Sequence, residues 1–186
     1  MLETNFNPFP ELNTERLRLR KLDLKDAKDI FEIRSNPQVM KYMSRPLTKT
    51  LDDASAHIEK VLKNMADNNG IDWGIEEKKS GKLIGTIAFW RIMKERYRAE
   101  IGYCLNEKWH KTGVMNEAFS VVIPYGFQQL NLHSIEANID PINVASAALL
   151  EKNKFRKEAY FKENFFFDGM FLDSAIYSLV KSIDFN

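Results

Sequence analysis

The 186-residue sequence is poor in the features that mark several classes of protein. It has one cysteine, Cys104, so no internal disulfide can form, and no Cys/His cluster has zinc-ligand spacing. No stretch approaches the roughly 18 consecutive apolar residues of a membrane helix, and the N-terminus lacks the basic start and apolar run of a signal peptide. Lys and Arg number 27 against 26 Asp and Glu, a formal charge of +1, whereas nucleic-acid-binding domains are usually strongly basic. We therefore expect a cytoplasmic protein that uses no metal, no nucleic acid and no membrane.

The chain also has no internal repeat and no linker rich in Pro, Gly or Ser, which predicts a single domain over residues 1–186. Residues 1–13 form a Pro- and Asn-rich lead-in that we expect to lie on the surface. Hydrophobic periodicity predicts strands at 16–22, 71–78, 82–92, 97–105, 133–139, 155–166 and 170–180, and helices at 23–36, 50–69, 113–130 and 141–153. Pro124 falls inside the third helix and should distort it.

The order of these elements predicts the fold class. The early strands follow one another closely, which favours antiparallel pairing. The strand–helix–strand unit over 97–139 predicts a right-handed parallel crossover in the same sheet. Together they indicate an α/β protein with a mixed sheet and helices on both faces.

The crossover contains the most informative residues. A strand ending at Leu105 runs into a short polar loop, and Gly113 then opens a long helix. The free N–H groups and positive end of a helix N-terminus form an anion site. Gly113 would let a phosphate approach the backbone closely, while Lys111 and Thr112 add a charge and a hydroxyl. The alternative is an ordinary strand-to-helix turn.

At this helix the sequence resembles the GNAT superfamily of N-acetyltransferases, and within it the ribosomal-protein N-terminal acetyltransferase branch. The superfamily pattern is Gln/Arg-x-x-Gly-x-Gly/Ala, and residues 110–115 read His-Lys-Thr-Gly-Val-Met. Other segments resemble the branch in the same order: Thr14–Arg20, Ala99–Tyr103, Asp140-Pro141 with Asn143 and Ser146, and Asp168-Gly169 before Asp173–Leu179. The resemblance spans about residues 13–180 and implies a GNAT-like fold, a mostly antiparallel mixed sheet with a splayed parallel pair.

The resemblance implies acetyl-CoA as co-substrate and an amine as acceptor, either a protein N-terminus or a small molecule such as a polyamine, amino acid or antibiotic. The pyrophosphate would bind the main-chain N–H groups of His110, Lys111, Thr112, Gly113 and Val114. The pantetheine arm would pair, like an extra strand, with the backbone of Tyr103, Cys104 and Leu105.

Glu100 is the candidate general base. It shares a strand face with Gly102 and Cys104, and a carboxylate on a central strand is costly to bury without a partner. Amines have pKa values of about 8 at an N-terminus and about 10.4 on lysine, so the acceptor must lose a proton before it attacks. The alternative role is a structural ion pair with Arg98 or Arg96.

Asn143 and Ser146 are three residues apart and should share a helix face. Asp140 and Pro141 supply a cap and a first helical residue, which would leave Asn143 free to contact pantetheine. Many GNAT enzymes have a tyrosine acid where this chain has Leu150, so Ser146 is the nearest candidate to protonate the leaving sulfur.

Other features carry weaker functional signals. Nothing near Cys104 in sequence pairs it with a histidine, so we do not expect a thiol nucleophile. The aromatic run between Tyr160 and Phe171 lacks interleaved basic residues, which favours a buried hairpin or a dimer surface over base stacking. Both a monomer and a homodimer are compatible with the sequence. A CoA-binding module without catalysis, or a protein-interaction domain, is the alternative from a different class.

Overall fold

Eight strands form one mixed sheet in the computed structural model, which describes residues 1–181. The order across the sheet is β1-β2-β3-β4-β5-β6-β8-β7, and every neighbouring pair is antiparallel except β5 and β6. The predicted fold class is confirmed. The strands are β1 (Leu12–Asn13), β2 (Leu17–Arg20), β3 (Ile71–Glu77), β4 (Lys82–Met93), β5 (Arg98–Leu105), β6 (Ser134–Ile139), β7 (Arg156–Phe167) and β8 (Met170–Val180).

Helices cover both faces of this sheet. They are α1 (Ala27–Arg34), α2 (Pro37–Met40), α3 (Leu51–Ala66), α4 (Val114–Pro124) and α5 (Val144–Lys152). None of the helices in residues 1–181 has the length and hydropathy needed to cross a membrane. The short helix α2 was not predicted; it begins at Pro37, after Asn36 caps it.

The two faces have separate hydrophobic clusters. On the face that α4 covers, Trp73 and Ile101 pack in one core with Phe119 of α4. On the opposite face, which we call the α1/α3 face, Ile30 of α1 and Ile58 of α3 pack against the sheet. Because successive strand residues alternate between faces, the neighbours of Ile101 on β5 point to the α1/α3 face.

The lead-in was expected to lie on the surface, and it does so only in part. Leu2 and Phe6 are each 5% exposed and belong to the core on the α4 face. The ring of Phe9 packs edge-on against Trp73, and the Trp73 indole N–H donates to the Pro10 carbonyl at 2.7 Å. The prediction gave weight to proline and asparagine content, whereas the three apolar side chains decide the packing.

Helix α4 changes character at Pro124. The α-helix ends there and passes into a π-helical turn over Tyr125–Gln129, in which the Leu130 N–H donates to the Tyr125 carbonyl. Proline has no N–H to donate to the preceding turn, so the interruption falls where the sequence predicted a distortion.

The closing hairpin forms through Asp168 and Gly169, both at positive φ, as predicted. Its aromatic residues, however, are not buried within this chain. Phe166 is 59% exposed and Phe171 is 65% exposed. Within residues 1–181, β7 is the outermost strand and pairs only with β8, so the expectation of a buried hairpin is wrong for the single chain. The dimer surface stays a prediction.

Candidate active site

Strands β5 and β6 part shortly after they meet. Their parallel pairing runs only from Arg98 opposite Ser134 to Glu100 opposite Glu136. Strand β5 continues to Leu105 and stays paired with β4 along that length. The β5 backbone after Glu100 therefore has an open edge toward β6, and an extended polar ligand would pair with it as a strand does.

The predicted pantetheine residues lie along this open edge, but they do not contribute equally. The Cys104 carbonyl points toward β4, since a Cβ on Gly85 would lie 2.5 Å from it. Backbone groups alternate in direction along a strand, so those of Tyr103 and Leu105 face the opening. The Leu105 carbonyl oxygen lies 3.0 Å from His110 Nε2, so this carbonyl already has a hydrogen-bond partner within the chain.

The N-terminus of α4 lies in the loop that follows β5, and no side chain within residues 1–181 caps it. Gly113 occupies the N-cap position with φ of +80°, and Lys111 also has a positive φ of +61°. The Thr112 hydroxyl donates to the Trp109 carbonyl at 2.7 Å, which fixes the loop. The first-turn N–H groups of α4 are therefore available to an anion.

Arg16 stands beside this helix end, and the sequence did not single it out. Its Nη1 donates to the Thr112 carbonyl at 3.2 Å, and its Nε lies 2.6 Å from Glu117 Oε2. Its Nη2 would be 3.7 Å from a Cβ on Gly113. Arg16 precedes Thr112 by 96 positions and Glu117 by 101 positions in the sequence, so no local pattern predicts these contacts.

Glu100 lies on the α1/α3 face of β5 and is only 7% exposed. Burial raises the pKa of Glu100 above its ordinary value. Arg91 and the Trp90 side chain act in the opposite direction and lower this pKa, whereas the charge of Glu136 raises it further. A carboxylate in this balance would accept a proton more readily than an exposed glutamate does.

The ion-pair partner of Glu100 is Arg91, not Arg98 or Arg96. Arg91 Nη2 lies 2.7 Å from Glu100 Oε2. Arg98 pairs instead with Glu136, at 2.8 Å. An irregularity in the register of β4, between Phe89 and Arg91, sets Arg91 opposite Glu100. A bulge of this kind re-aims a side chain, and the sequence gave no sign of it.

Ser146 and Tyr103 meet across the opening. Their hydroxyl oxygens are 2.5 Å apart, and Ser146 is buried in the first turns of α5. Burial raises the pKa of Tyr103 to about 12, so the phenol keeps its proton at neutral pH. The sequence gave no sign of this contact: the position where many GNAT enzymes have a tyrosine acid is Leu150, whereas the tyrosine hydroxyl that reaches Ser146 comes from β5.

Asn143 caps α5 itself, which overturns the expectation that Asp140 would do so. Asn143 Oδ1 accepts a hydrogen bond from the Ser146 N–H at 3.1 Å. Asp140 Oδ1 accepts instead from the Ile142 N–H in the turn before the helix. The helix therefore begins at Val144, three residues later than predicted, because two successive side-chain caps compete for the start.

Cys104 is buried on the α1/α3 face, and burial raises the pKa of its thiol to about 11. A thiol in that state is a poor nucleophile at neutral pH. In residues 1–181 no group of three His, Cys, Asp or Glu side chains is placed to hold a metal ion.

Comparisons with known proteins agree with this fold. The family described as "Acetyltransferase (GNAT) domain" matches residues 16–156. The uncharacterized N-acetyltransferase YoaA of Bacillus subtilis (strain 168) is 36% identical over 173 residues, covering 93% of this chain and 98% of YoaA. The ribosomal protein uS5-alanine N-acetyltransferase of Escherichia coli (strain K12) is 31% identical over 108 residues, covering 58% of this chain and 56% of that protein.

A solved structure is similar over nearly the whole chain. The acetyltransferase (GNAT family) from Bacillus anthracis has a TM-score of 0.82 and 29% identity, covering 92% of this chain and 98% of that one. The family match, the YoaA alignment and this shared fold extend over the parted strands and the open helix end. The chain belongs to the GNAT acetyltransferase family and is an N-acetyltransferase.

Proposed function

We propose that this protein transfers the acetyl group of acetyl-CoA directly to the primary amine of a protein N-terminus, in the cytoplasm. The observation that carries the proposal is the parting of β5 from β6 beside the uncapped N-terminus of α4. The open strand edge and the helix N-terminus lie one after the other along the same opening. This arrangement suits a ligand that has an amide-containing arm and a pyrophosphate.

The residues around α4 fit the pyrophosphate. Main-chain N–H groups from His110 to Val114 would hold its oxygens, and positive φ at Lys111 and Gly113 turns the loop around them. Arg16 adds a positive charge at the same end of the helix. The near-zero net charge of the chain agrees with binding through such local donors rather than through a basic surface.

The pantetheine arm would lie along Tyr103 to Leu105. Asn143 would add a contact from the other side of the opening. Its Oδ1 serves the cap of α5, but its Nδ2 has no partner among residues 1–181 and remains a donor. The main-chain N–H of Tyr103 faces the opening, where it would stabilise the oxyanion formed as the amine attacks.

Glu100 would take the proton of the acceptor ammonium, directly or through a water. It faces the α1/α3 side of β5, and its raised pKa favours proton uptake. The structural ion pair with Arg91 is compatible with this role, because the guanidinium would hold the carboxylate in place.

Ser146 would pass a proton to the leaving sulfur while its oxygen takes the proton of the Tyr103 hydroxyl, so that no serine alkoxide forms, and Tyr103 would regain a proton from solvent after CoA leaves. A thiol has a pKa of about 8.5, so the departing thiolate is a stable leaving group and a weak proton donor is sufficient. Acetyl-CoA, when bound, supplies the thioester; the chain supplies the base, the oxyanion donors and this hydroxyl pair.

The proposed acceptor is the amine of a protein N-terminus. The similarity to the Escherichia coli enzyme named for ribosomal protein uS5 favours a protein N-terminus. A polyamine, an amino acid or an antibiotic amine is the second candidate, and a CoA-binding module without turnover is the third. The protein would act as a monomer or a homodimer.

Measuring CoA release with acetyl-CoA and two panels, N-terminal peptides and small amines, tests the proposal. Turnover confined to peptides supports the favoured acceptor. Turnover confined to small amines selects the second candidate. Binding of acetyl-CoA without any CoA release would leave only the binding module.

A further inference from the structure

A cleft of about 440 Å³ opens between the end of α1, the segment 46–49 and the first half of α3. The segment is tied to α1 by the Thr48 N–H, which donates to the Arg34 carbonyl at 3.1 Å. The lining includes four basic side chains and one carboxylate: Arg34, Lys49, His57, Lys60 and Asp53. No role in the proposed chemistry uses this cleft.

Arg34 lines the cleft without an anionic partner. Its Nε is fully buried and makes no hydrogen bond within residues 1–181. Five of the eight other arginines have carboxylate partners: Arg16, Arg18, Arg20, Arg91 and Arg98. Burial lowers the pKa of Arg34, yet an arginine remains charged at any physiological pH. An unpaired charge at such a position is costly, and an anion would remove that cost.

The carboxylate in the cleft forms no ion pair with Arg34. Asp53 Oδ2 accepts hydrogen bonds from the Lys49 and Thr50 N–H groups, at 3.0 and 2.9 Å, as part of the cap of α3. The other charges nearby are positive. Burial, followed by the charges of Arg34 and Lys60, lowers the pKa of His57 to about 4, so its ring is neutral at pH 7.

The cleft lies on the α1/α3 face of the sheet, the face to which Glu100 points. Arg34 is close enough to Cys104 for each to influence the pKa of the other. Cys104 shares the α1/α3 face with Gly102 and Glu100. An anion held by Arg34 would therefore lie on the side of the strand from which the amine approaches Glu100.

We propose that this cleft binds an oxyanion, a carboxylate or a phosphate, carried by the acetyl acceptor, with Arg34 as its principal ligand. The inference about the acceptor rests on the proposed function; the oxyanion site itself does not. The planar guanidinium would bind two oxygens at once, Lys49 and Lys60 would add charge, and the neutral His57 ring would add a hydrogen bond. The acceptor class is then an amine that has an acidic group near it, such as an acidic N-terminal peptide.

Side-chain NMR of the three histidines tests the oxyanion site directly. The protein, saturated with CoA, is titrated separately with sodium succinate and inorganic phosphate. We expect the His57 resonances to shift saturably, with a dissociation constant on the order of 1 mM. The tighter of the two probes identifies a carboxylate or a phosphate as the natural group.

Two arginine variants make the comparison specific. Arg34→Met should abolish the His57 shift, whereas Arg156→Met, which removes an exposed arginine of β7 that has no ion pair among residues 1–181, should preserve it. If Arg34→Met does not fold, Lys60→Gln, at an exposed position, should weaken binding several-fold. The proposal is overturned if succinate and phosphate both leave His57 unshifted, or if Arg34→Met and Arg156→Met behave alike.

Paired peptides test whether the oxyanion belongs to the acceptor. Ala-Glu-Glu amide and Ala-Gln-Gln amide differ only in charge. We expect kcat/KM to favour the acidic peptide at least tenfold, and Arg34→Met to bring the ratio close to one. Equal values in the unmodified protein would overturn the acceptor assignment. Absence of turnover with both, beside an intact His57 shift, would overturn N-terminal acetylation and leave the oxyanion site supported.

Discussion

At the scale of single residues, Glu100 is the position where charge and burial oppose each other most clearly. Burial raises the pKa of Glu100, and the base must be ionised to act, so kcat/KM should fall as the pH drops through a value above the ordinary glutamate range. Glu100→Gln should lower kcat/KM about 100-fold near neutral pH and remove this acid limb. A pH profile of kcat/KM for both proteins is the measurement.

Glu136→Gln is the matched control for Glu100→Gln. It alters the same ion-pair network, since Glu136 contacts Arg91 and Arg98, but it leaves the Glu100 carboxylate in place. The acid limb should persist in this variant and move to lower pH, because the like charge of Glu136 contributes to the raised pKa of Glu100. Full turnover by Glu100→Gln at every pH would rule out the base.

The Ser146–Tyr103 pair should act as a unit. Ser146→Ala is expected to lower kcat about tenfold, equivalent to roughly 1.4 kcal/mol, and to leave the dissociation constant of CoA within about twofold. Tyr103→Phe should have a smaller effect, and the double variant should be no slower than Ser146→Ala alone. Additive losses in kcat would show that the two hydroxyls act separately.

Asp72 offers a test of stability rather than activity. It is half-buried on β3 without an ion pair or hydrogen bond in residues 1–181, and burial raises its pKa to about 7. A native pKa above the unfolded value means that the stability present below about pH 4 is lost as the pH rises through 7. Asp72→Asn should therefore raise the free energy of unfolding by roughly 1–3 kcal/mol at pH 8.5 and have little effect at pH 4.

Urea unfolding at the two pH values measures this difference. Glu59→Gln, which changes an exposed carboxylate in the middle of α3, is the control and should show no such pH dependence. An Asp72→Asn variant that is equally stabilised at both pH values would contradict the role assigned to burial of the charge.

The site residues that could be predicted from the sequence are those whose roles follow from a local sequence pattern. Alternation placed Glu100 opposite the apolar face of β5, and the helix start at Gly113 pointed to the anion site. Arg16, Arg91 and the hydroxyl of Tyr103 were missed as participants, because each depends on chain segments brought together by the fold or on a bulge in β4. Pairwise contacts of this kind have no periodicity.

At the scale of elements, the proposed binding of the pyrophosphate at the N-terminus of α4 can be tested directly. Arg16→Gln should raise the dissociation constant of CoA about tenfold, since one charged donor is lost beside the pyrophosphate. It should not change kcat/KM with acetyl-pantetheine, which lacks that group. Isothermal titration and steady-state assays provide the two readouts.

Arg18→Gln is the matched control for the Arg16 variant. Arg18 lies two residues later, on β2, and forms an exposed pair with Glu11 rather than with a residue of α4. Its loss should leave CoA binding unchanged, because exposed pairs contribute little. If Arg16→Gln and Arg18→Gln bind CoA equally well, the helix end is not where the pyrophosphate lies.

Element boundaries were predictable where capping and turn residues act alone. Thr50 and Asp53 cap α3 reciprocally, so the helix starts within one residue of the predicted position, and Asp168-Gly169 closes the last hairpin as expected. The predicted start of α5 was three residues too early, because the side chains of Asp140 and Asn143 can both cap a helix. The expectation for the lead-in was only partly correct, because its composition does not show that Leu2 and Phe6 are buried in the core and that Phe9 packs against it.

At the scale of the whole molecule, collinear segments predicted more than any single motif. The order of strands and helices along the chain was correct apart from β1 and α2, and the parallel pair lies where the crossover required it. The sequence did not predict the identity of the acceptor amine. The cleft at Arg34 supplies a physical criterion for it, which the loop residues alone did not.

The most direct test of the central claim is mass spectrometry of bacterial lysate proteins incubated with the enzyme and acetyl-CoA labelled with carbon-13 in its acetyl group. The account predicts the labelled acetyl group on the N-terminal amine of a small set of proteins, lost in Glu100→Gln and retained in Glu136→Gln. Binding of CoA together with no labelled amine on any protein, and no label on small amines in the same lysate, would contradict it.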